Sequence, residues 1–112
     1  MIVKNKTIND WVTEIHEYSK LKGWWDNFRP DSEIFALIVS ELGEAIEASR
    51  DGIDDMMFEA STGKPVGVST ELIDALIRIM DFFGYKGWDM EKILETKHQY
   101  NLKRPYRHNK KW

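Results

Sequence analysis

The chain has 112 residues, a formal net charge of −3, 42% hydrophobic residues and 31% charged residues, which suits a single folded domain. It has no cysteine, and this excludes disulfides, thiolate zinc sites and cysteine nucleophiles. No stretch has the apolar core of a signal peptide or the length of a membrane span, so we expect a cytoplasmic protein without a membrane partner.

The first predicted helix begins at Thr7, because Thr7 and Asp10 have the spacing of a capping box. Its apolar residues recur at helical spacing, at Ile8, Trp11, Val12, Ile15 and Tyr18. The helix is expected to stop near Gly23. The aromatic loop at 22–30 follows, and its adjacent residues Trp24 and Trp25 suit either stacking on a nucleobase or packing in a core or subunit contact.

The second predicted helix has cap candidates at Asp31 and Ser32 and runs to about Ser49 or Arg50, and one of its glutamates falls inside the apolar face. That face comprises Ile34, Leu37, Ile38, Leu42 and Ala45. Glu41 lies within this arc and Glu44 at its edge. A carboxylate inside an apolar stripe costs roughly several kcal/mol unless it is paired or metal-bound, which favours a functional site here over a solvated face.

Residues 51–68 contain three glycines and a proline without a clear period, which predicts a long loop with a short helical turn at about 56–60. The third helix is predicted from a cap at Ser69 or Thr70 to about residue 84. Its apolar arc comprises Leu72, Ile73, Leu76, Ile79, Met80 and Phe83. The polar residues Glu71, Asp74, Arg78 and Asp81 lie opposite this arc, on a face that taken alone is expected to meet water.

Asp89 is expected to cap a fourth helix, which ends before Pro105. From Lys97 onwards every charged residue is basic, and residues 104–112 form a tail with few apolar side chains. The single Glu95-x-x-His98 pair lacks the second copy that a di-iron bundle needs. Four helices with mostly short links predict an all-α four-helix bundle in one domain, residues 1–112.

Two acidic pairs, Glu41 with Glu44 and Glu71 with Asp74, stand on the second and third helices. Residues three apart share one side of a helix, so packing the two helices together would converge four carboxylates. Such a group cannot stay ionised without a cation. Hard oxygen ligands favour Mg²⁺, with Mn²⁺ as a substitute.

This order of motifs resembles the metal motif of the all-α nucleoside triphosphate pyrophosphohydrolases, which include MazG, the dimeric dUTPases and phosphoribosyl-ATP pyrophosphohydrolase. Glu-x-x-Glu at 41–44 is followed by Glu-x-x-Asp at 71–74. The runs Lys22-Gly-Trp-Trp-Asp, Gly63-Lys-Pro-Val-Gly and Lys97-x-x-Tyr-Asn-x-x-Arg-Pro look like those of single-domain MazG-like proteins. The similarity runs from about Gly23 to the C-terminus; it departs at Asn109, where the family often has glycine, and at Ile73, where a small residue is common.

The resemblance implies a MazG-like helical domain that hydrolyses nucleoside triphosphates between the α- and β-phosphates, giving a monophosphate and pyrophosphate for nucleotide-pool house-cleaning. Its metal and catalytic residues would be Glu41, Glu44, Glu71 and Asp74, holding one to three Mg²⁺ ions. Its substrate-binding residues would be Lys97, Asn101 and Arg104 on the triphosphate, with Tyr106, His108, Lys111 and Trp25 as further candidates. The family also implies a homodimer or homotetramer.

The basic tail leaves two other interpretations open. A helical module that binds nucleic acid through the tail would show salt-sensitive binding and would not need the acids. A regulatory protein would bind nucleotide without turnover. The four intact acids favour the enzyme and make nucleic acid the less expected partner, while the preferred base and sugar stay open.

Overall fold

The computed structural model describes residues 5–111 and has an all-α architecture, as predicted, with one small hairpin. Among the described residues the helices are α1 Ile8–Leu21, α2 Asp31–Arg50, α3 Val68–Lys86 and α4 Met90–Leu102, and a 3₁₀ turn covers Tyr106–Asn109. Strands β1 Met57–Phe58 and β2 Pro65–Val66 join α2 to α3. No helix within 5–111 combines the length and the apolarity needed to cross a membrane.

The helix ends follow the sequence signals at α1 and α4 but not at α2 and α3. The predicted cap at Asp31 or Ser32 is wrong, because α2 already begins at Asp31 and its N-cap, Pro30, has no capping side chain. The Thr7 side chain accepts from the Asp10 backbone while the Asp10 carboxylate accepts from the Thr7 backbone, which is the predicted capping box. Asp89 accepts from the Lys92 backbone, also as predicted. The predicted Ser69 or Thr70 cap is wrong, because α3 already begins at Val68 and its N-cap, Gly67, has no capping side chain.

Helix α3 is the centre of the fold, since both α1 and α2 pack against it. Helix α4 contacts α1 near its own first turn and has no buried residue. Asn9 makes that junction: its backbone N–H donates to Glu91 Oε2 at 2.9 Å and its side-chain amide donates to Asp89 Oδ1 at 2.8 Å. The Glu91 backbone N–H donates back to Asn9 Oδ1 at 3.1 Å. A three-helix unit therefore carries a fourth helix attached near one end.

The faces of α3 differ from the sequence prediction in its first half, whereas Ile79, Met80 and Phe83 of the predicted arc are partly buried. Leu72 and Ile73, from the predicted core arc, are 48% and 51% exposed. The opposite face packs inward: Ala75 is buried, and Glu71 and Arg78 are partly buried. The prediction of a solvated face is wrong for Arg78 and Asp81, because they have partners on α2 and α1, whereas Asp74 is exposed.

The link from α2 to α3 contains an antiparallel hairpin, so the predicted helical turn at 56–60 is wrong. Met57 pairs with Val66 and Phe58 with Pro65. The reversal uses Gly63 at φ +72°, whose N–H donates to the Glu59 carbonyl at 2.8 Å. Proline has no N–H for a helix and suits a short, extended edge position, which explains why this segment pairs as strands.

The chain leaves an unusual amount of surface uncovered for its size. Its accessible surface is 8977 Å², whereas a compact monomer of 13.2 kDa exposes about 6,400 Å². Its radius of gyration is 16.7 Å, against about 13 Å for a compact domain of this length. The uncovered surface includes apolar side chains of α2, α3 and α4, namely Phe35, Val39, Leu42, Ile46, Leu72, Ile73, Leu76, Ile93 and Leu94.

Candidate functional site

Three of the four predicted metal ligands meet between α2 and α3. Glu41, Glu44 and Glu71 each offer a carboxylate oxygen, and these oxygens lie within 4.8 Å of one another. Glu41 and Glu44 are one turn apart on α2, while Glu71 is in the first turn of α3. Asp74, one turn further along α3, lies outside this trio but lines the adjoining cavity. We call Glu41, Glu44 and Glu71 the carboxylate cluster.

Glu41 lies on the inward stripe of α2, as the sequence predicted. Ile34 and Ala45 of that stripe are buried, and the Glu41 side chain is only 13% exposed. Its partner is Arg78 of α3, whose Nε donates to Glu41 Oε1 at 3.0 Å. The buried acid is therefore paired, but with one N–H of a single guanidinium.

Glu71 carries the clearest electrostatic signature of the cluster. Burial raises the pKa of its carboxyl above the ordinary value, and the neighbouring carboxylates of Glu44, Asp74 and Glu41 raise it further. Its Oε2 atom is buried and has no hydrogen-bond partner among the described residues. Both the crowding of negative charge and the unpaired oxygen would be relieved by a cation.

The donor set fits a hard divalent ion. All donors are carboxylate oxygens from two facing helices, which suits Mg²⁺ or Mn²⁺ rather than softer metals. The described residues bring no histidine into the cluster. Mg²⁺ keeps several waters when protein carboxylates bind it, so three or four carboxylates with open access on one side make an adequate site.

A cavity of about 600 Å³ opens beside the cluster between α1, the loop at 22–30 and α3. Its wall includes Glu41 of the cluster together with Asp74 and Arg78 of α3, and we call this part of the wall the acidic end. The rest of the wall is formed by Glu14, Ile15, Tyr18, Ser19, Trp24, Arg29, Ile77 and Asp81. We call the part of the wall with the rings of Tyr18 and Trp24 the aromatic end. The volume of the cavity is in the range of small-molecule sites.

Asp81 of α3 links α1 and the loop at 22–30 to α3 through hydrogen bonds. Its Oδ2 accepts from Ser19 Oγ at 2.8 Å, and Trp25 Nε1 donates to Oδ1 and Oδ2 at 3.0 and 3.1 Å. His16 Nδ1 lies 2.7 Å from Oδ1. Trp25 also stacks on Tyr85, with ring centroids 4.2 Å apart. This carboxylate is fully engaged, and it fixes the wall of the cavity.

The predicted substrate-binding residues do not line the cavity within one chain. Lys97 lies on α4 in a separate groove with Lys92, Ile93, Thr96 and Tyr100. Asn101 has a buried Oδ1 without a partner among the described residues, Arg104 is half-buried and Lys111 is exposed. Tyr106 is 88% exposed, and the side chain of His108 lies outside what the structure describes. Trp25 contacts Asp81 and Tyr85, whereas its neighbour Trp24 lines the cavity.

Sequence reasoning missed Arg78 and the α1 side of the cavity. Arg78 was placed on a wet face because its neighbours Asp74 and Asp81 are also charged. The spacing of Arg78 could have indicated its place at the site, because Glu71, Asp74 and Arg78 follow one another at helical intervals and share a face. For Tyr18 and Ser19 of α1, no local pattern distinguishes a cavity wall from an ordinary helix surface.

Comparison with protein-family models, with curated proteins and with solved structures found no match to this chain. The case for a function therefore rests on the residues and their geometry.

Proposed function

We propose that this protein is a Mg²⁺-dependent nucleoside triphosphate pyrophosphohydrolase of the MazG-like all-α type. The observation that carries the proposal is the carboxylate cluster, with its oxygens within 4.8 Å and the unpaired buried oxygen of Glu71. Crowded, partly buried carboxylates cost stability unless a ligand uses them. Their place beside a cavity supports a catalytic rather than a purely structural metal.

The cavity supports a nucleotide as the ligand. Its acidic end would take the metal-bound phosphates, and its aromatic end, with Trp24 and Tyr18, suits a base that stacks on rings. This orientation brings the sugar and the first phosphate near the middle of α3.

The residues of the site would have different roles in hydrolysis. Glu41, Glu44, Glu71 and Asp74 would hold Mg²⁺, which supplies polarisation of phosphoryl oxygens and a bound water of lowered pKa. A water oxygen bonds to one of the two phosphorus atoms of the α,β-anhydride, the bond from that phosphorus to the bridging oxygen breaks, and the bridging oxygen stays on the other phosphate as the monophosphate and pyrophosphate separate. A carboxylate of the site accepts the proton of the water, while cationic side chains stabilise the charge on the leaving group.

We further propose that the active protein is a homodimer or homotetramer. The chain exposes about 2,500 Å² more than a compact monomer, and obligate interfaces bury roughly 2,000–5,000 Å² in total. The uncovered faces carry apolar residues of α2 and α3, such as Leu42 and Leu76. A second copy buries such faces with its identical surface.

The same assembly would complete the site. Lys97, Asn101 and Arg104 supply the cationic and amide groups that a triphosphate needs, yet α4 side chains do not line the cavity within residues 5–111 of one chain. Because the hydrogen bonds of α4 to α1 lie at its first turn, its far end can lie against another copy. In the proposed assembly, α4 of one subunit delivers these groups to the carboxylates of its neighbour.

The decisive experiment measures pyrophosphate release from a panel of canonical, deoxy and modified nucleoside triphosphates with Mg²⁺, with Mn²⁺ and with chelator. We expect metal-dependent pyrophosphate release rather than release of single phosphate. Glu44→Gln should reduce turnover by at least about 100-fold if the residue holds the metal. Glu47→Gln, the same change one turn further on α2, should leave turnover unchanged.

One observation favours a second candidate, a nucleic-acid-binding module: within residues 5–111 of one chain, the cations of the tail do not line the cavity. This candidate predicts binding to single- or double-stranded nucleic acid that weakens steeply with salt and persists in Glu44→Gln. Absence of pyrophosphate release together with such binding would replace the enzyme proposal.

A further inference from the structure

Arg78 is the one cation that the described residues place at the acidic end of the cavity. It stands on α3 one turn beyond Asp74, is 32% exposed, and lines the cavity together with Glu41. Its only hydrogen bond among the described residues runs from Nε to Glu41 Oε1 at 3.0 Å. The two terminal nitrogens of the guanidinium therefore have no protein partner there.

The nearest acid beyond Arg78 on the same face of α3 does not compete for it. Asp81 is occupied by His16, Ser19 and Trp25, so Arg78 is drawn towards the carboxylate cluster instead. A guanidinium carries five N–H donors in a rigid fork that matches carboxylate and phosphate oxygens. A single Nε contact uses one of these donors and leaves the rest for a ligand in the cavity.

We propose that Arg78 is a phosphate-binding residue that binds the substrate beside the scissile anhydride, exchanging its ion pair with Glu41 for a phosphate oxygen when Glu41 binds metal. The inference rests on the proposed function and adds to it a cation from the carboxylate-bearing helix itself. Arg78 lines the acidic end of the cavity beside Glu41 and Asp74, where the metal-bound phosphates of a nucleotide would be. Charge that develops there would be stabilised by a fixed guanidinium.

The exchange follows from charge balance. Without metal, the cluster and Asp74 bring up to four negative charges together, and Arg78 is the cation that neutralises part of this charge. A divalent ion takes over that task and repels the guanidinium from the shared oxygens. A phosphate in the cavity then offers the released guanidinium a bidentate partner.

Three affinities separate this role from that of a structural counter-ion. Calorimetry would measure the binding of Mn²⁺ alone, the binding of inorganic triphosphate in the presence of Mg²⁺, and the binding of a slowly hydrolysed nucleotide, for the wild type and for Arg78→Gln. Removing a competing cation should tighten Mn²⁺ binding about three- to tenfold. Losing charge-assisted hydrogen bonds should weaken binding of triphosphate and nucleotide about 10- to 100-fold.

Two further variants complete the design. Arg50→Gln removes an arginine from the last turn of α2, away from the cavity, and should change none of the three affinities. Arg78→Lys keeps the charge but not the fork, so it should retain wild-type metal affinity and lose about tenfold in triphosphate affinity. Thermal unfolding of each variant checks the fold, and if Arg78→Gln is unfolded the lysine variant decides.

The outcomes are distinct. Tighter metal binding with weaker triphosphate binding supports the proposal. Unchanged triphosphate binding in a folded variant would mean that Arg78 is only a counter-ion and would overturn the proposal. A parallel fall in the affinities for metal and triphosphate would also overturn it, because Arg78 would then only position Glu41. A wild-type protein that binds neither Mn²⁺ nor triphosphate would instead overturn the proposed function.

Discussion

Replacing Glu71 by glutamine should stabilise the metal-free protein and abolish its stabilisation by Mg²⁺. Burial and the carboxylates of Glu44, Asp74 and Glu41 raise the pKa of the Glu71 carboxyl, so its ionised form is unfavourable in the folded state at neutral pH. Glutamine keeps the shape without the charge. The same change removes a metal ligand, and the two effects have opposite signs in the presence of metal.

The magnitude of the metal effect follows from mass action. A ligand that binds only the folded state adds about 2.7 kcal/mol at a concentration 100 times its dissociation constant. For a domain of this size that corresponds to a rise in Tm of about 10 °C. Wild type should show this rise between chelator and saturating Mg²⁺, and Glu71→Gln should start higher and rise by less than about 2 °C.

The pH dependence of stability tests independently whether the ionised Glu71 carboxylate destabilises the folded protein. Because the folded pKa of Glu71 is raised above 4.5, the folded state holds this proton when the unfolded chain has already lost it. The contribution of Glu71 to stability is therefore full in acid and is lost as pH rises through the raised pKa. Metal affinity should change the other way and increase over the same window, because the ion competes with the proton.

Differential scanning fluorimetry of wild type, Glu71→Gln and Glu47→Gln, with chelator and with Mg²⁺, tests this reasoning. Glu47 is an exposed glutamate on α2, so its variant controls for removing one negative charge and should respond to metal as wild type does. An equal Mg²⁺ response in wild type and Glu71→Gln would show that the cluster is not the metal site. If metal-free Glu71→Gln were less stable than wild type, the Glu71 carboxylate would not be destabilising in the folded protein.

Three further predictions concern assembly and packing. Leu76→Glu places a charge on the exposed apolar face of α3 and should weaken self-association at least about tenfold, as measured by sedimentation velocity over a concentration series; Glu95→Gln on α4 serves as the control. Asp81→Asn turns one acceptor of the α1–loop–α3 network into a donor and should lower the free energy of unfolding by about 2 kcal/mol, measured by urea denaturation; no loss would mean that the network adds nothing. Gly84→Ala puts a Cβ at 2.4 Å from that of His16 and should cost about 1–3 kcal/mol by overpacking, seen as a lower Tm with a wild-type Mg²⁺ response.

The predictable parts of the fold were those with local physical causes. The capping box of Thr7 and Asp10 and the cap at Asp89 depend on residues within one turn, and both formed as expected. Glu41 was found by its place in the apolar stripe of α2, which is also a property of one helix. Packing of α2 against α3 then brings Glu41, Glu44 and Glu71 together, as their spacing on the two helices predicts.

The parts that sequence reasoning misplaced depend on partners far along the chain. The apolar arc of α3 marks a surface that needs covering, but periodicity does not say whether the cover comes from the same chain or another. The inward face of α3 is polar because Asp81 meets His16 and Ser19, which are more than sixty residues away. The hairpin was missed because two-residue strands are too short to show alternation.

The attachment of α4 near Asn9 has a consequence for how the site would respond to concentration. A helix without buried residues opens at little cost, so in an isolated subunit its amides should exchange with solvent long before those of α3. In the proposed assembly, subunit association would protect α4 and bring Lys97, Asn101 and Arg104 to a neighbour's carboxylates in the same step. Specific activity would then fall on dilution, and the turnover rate per subunit would depend on the protein concentration as well as on the substrate concentration.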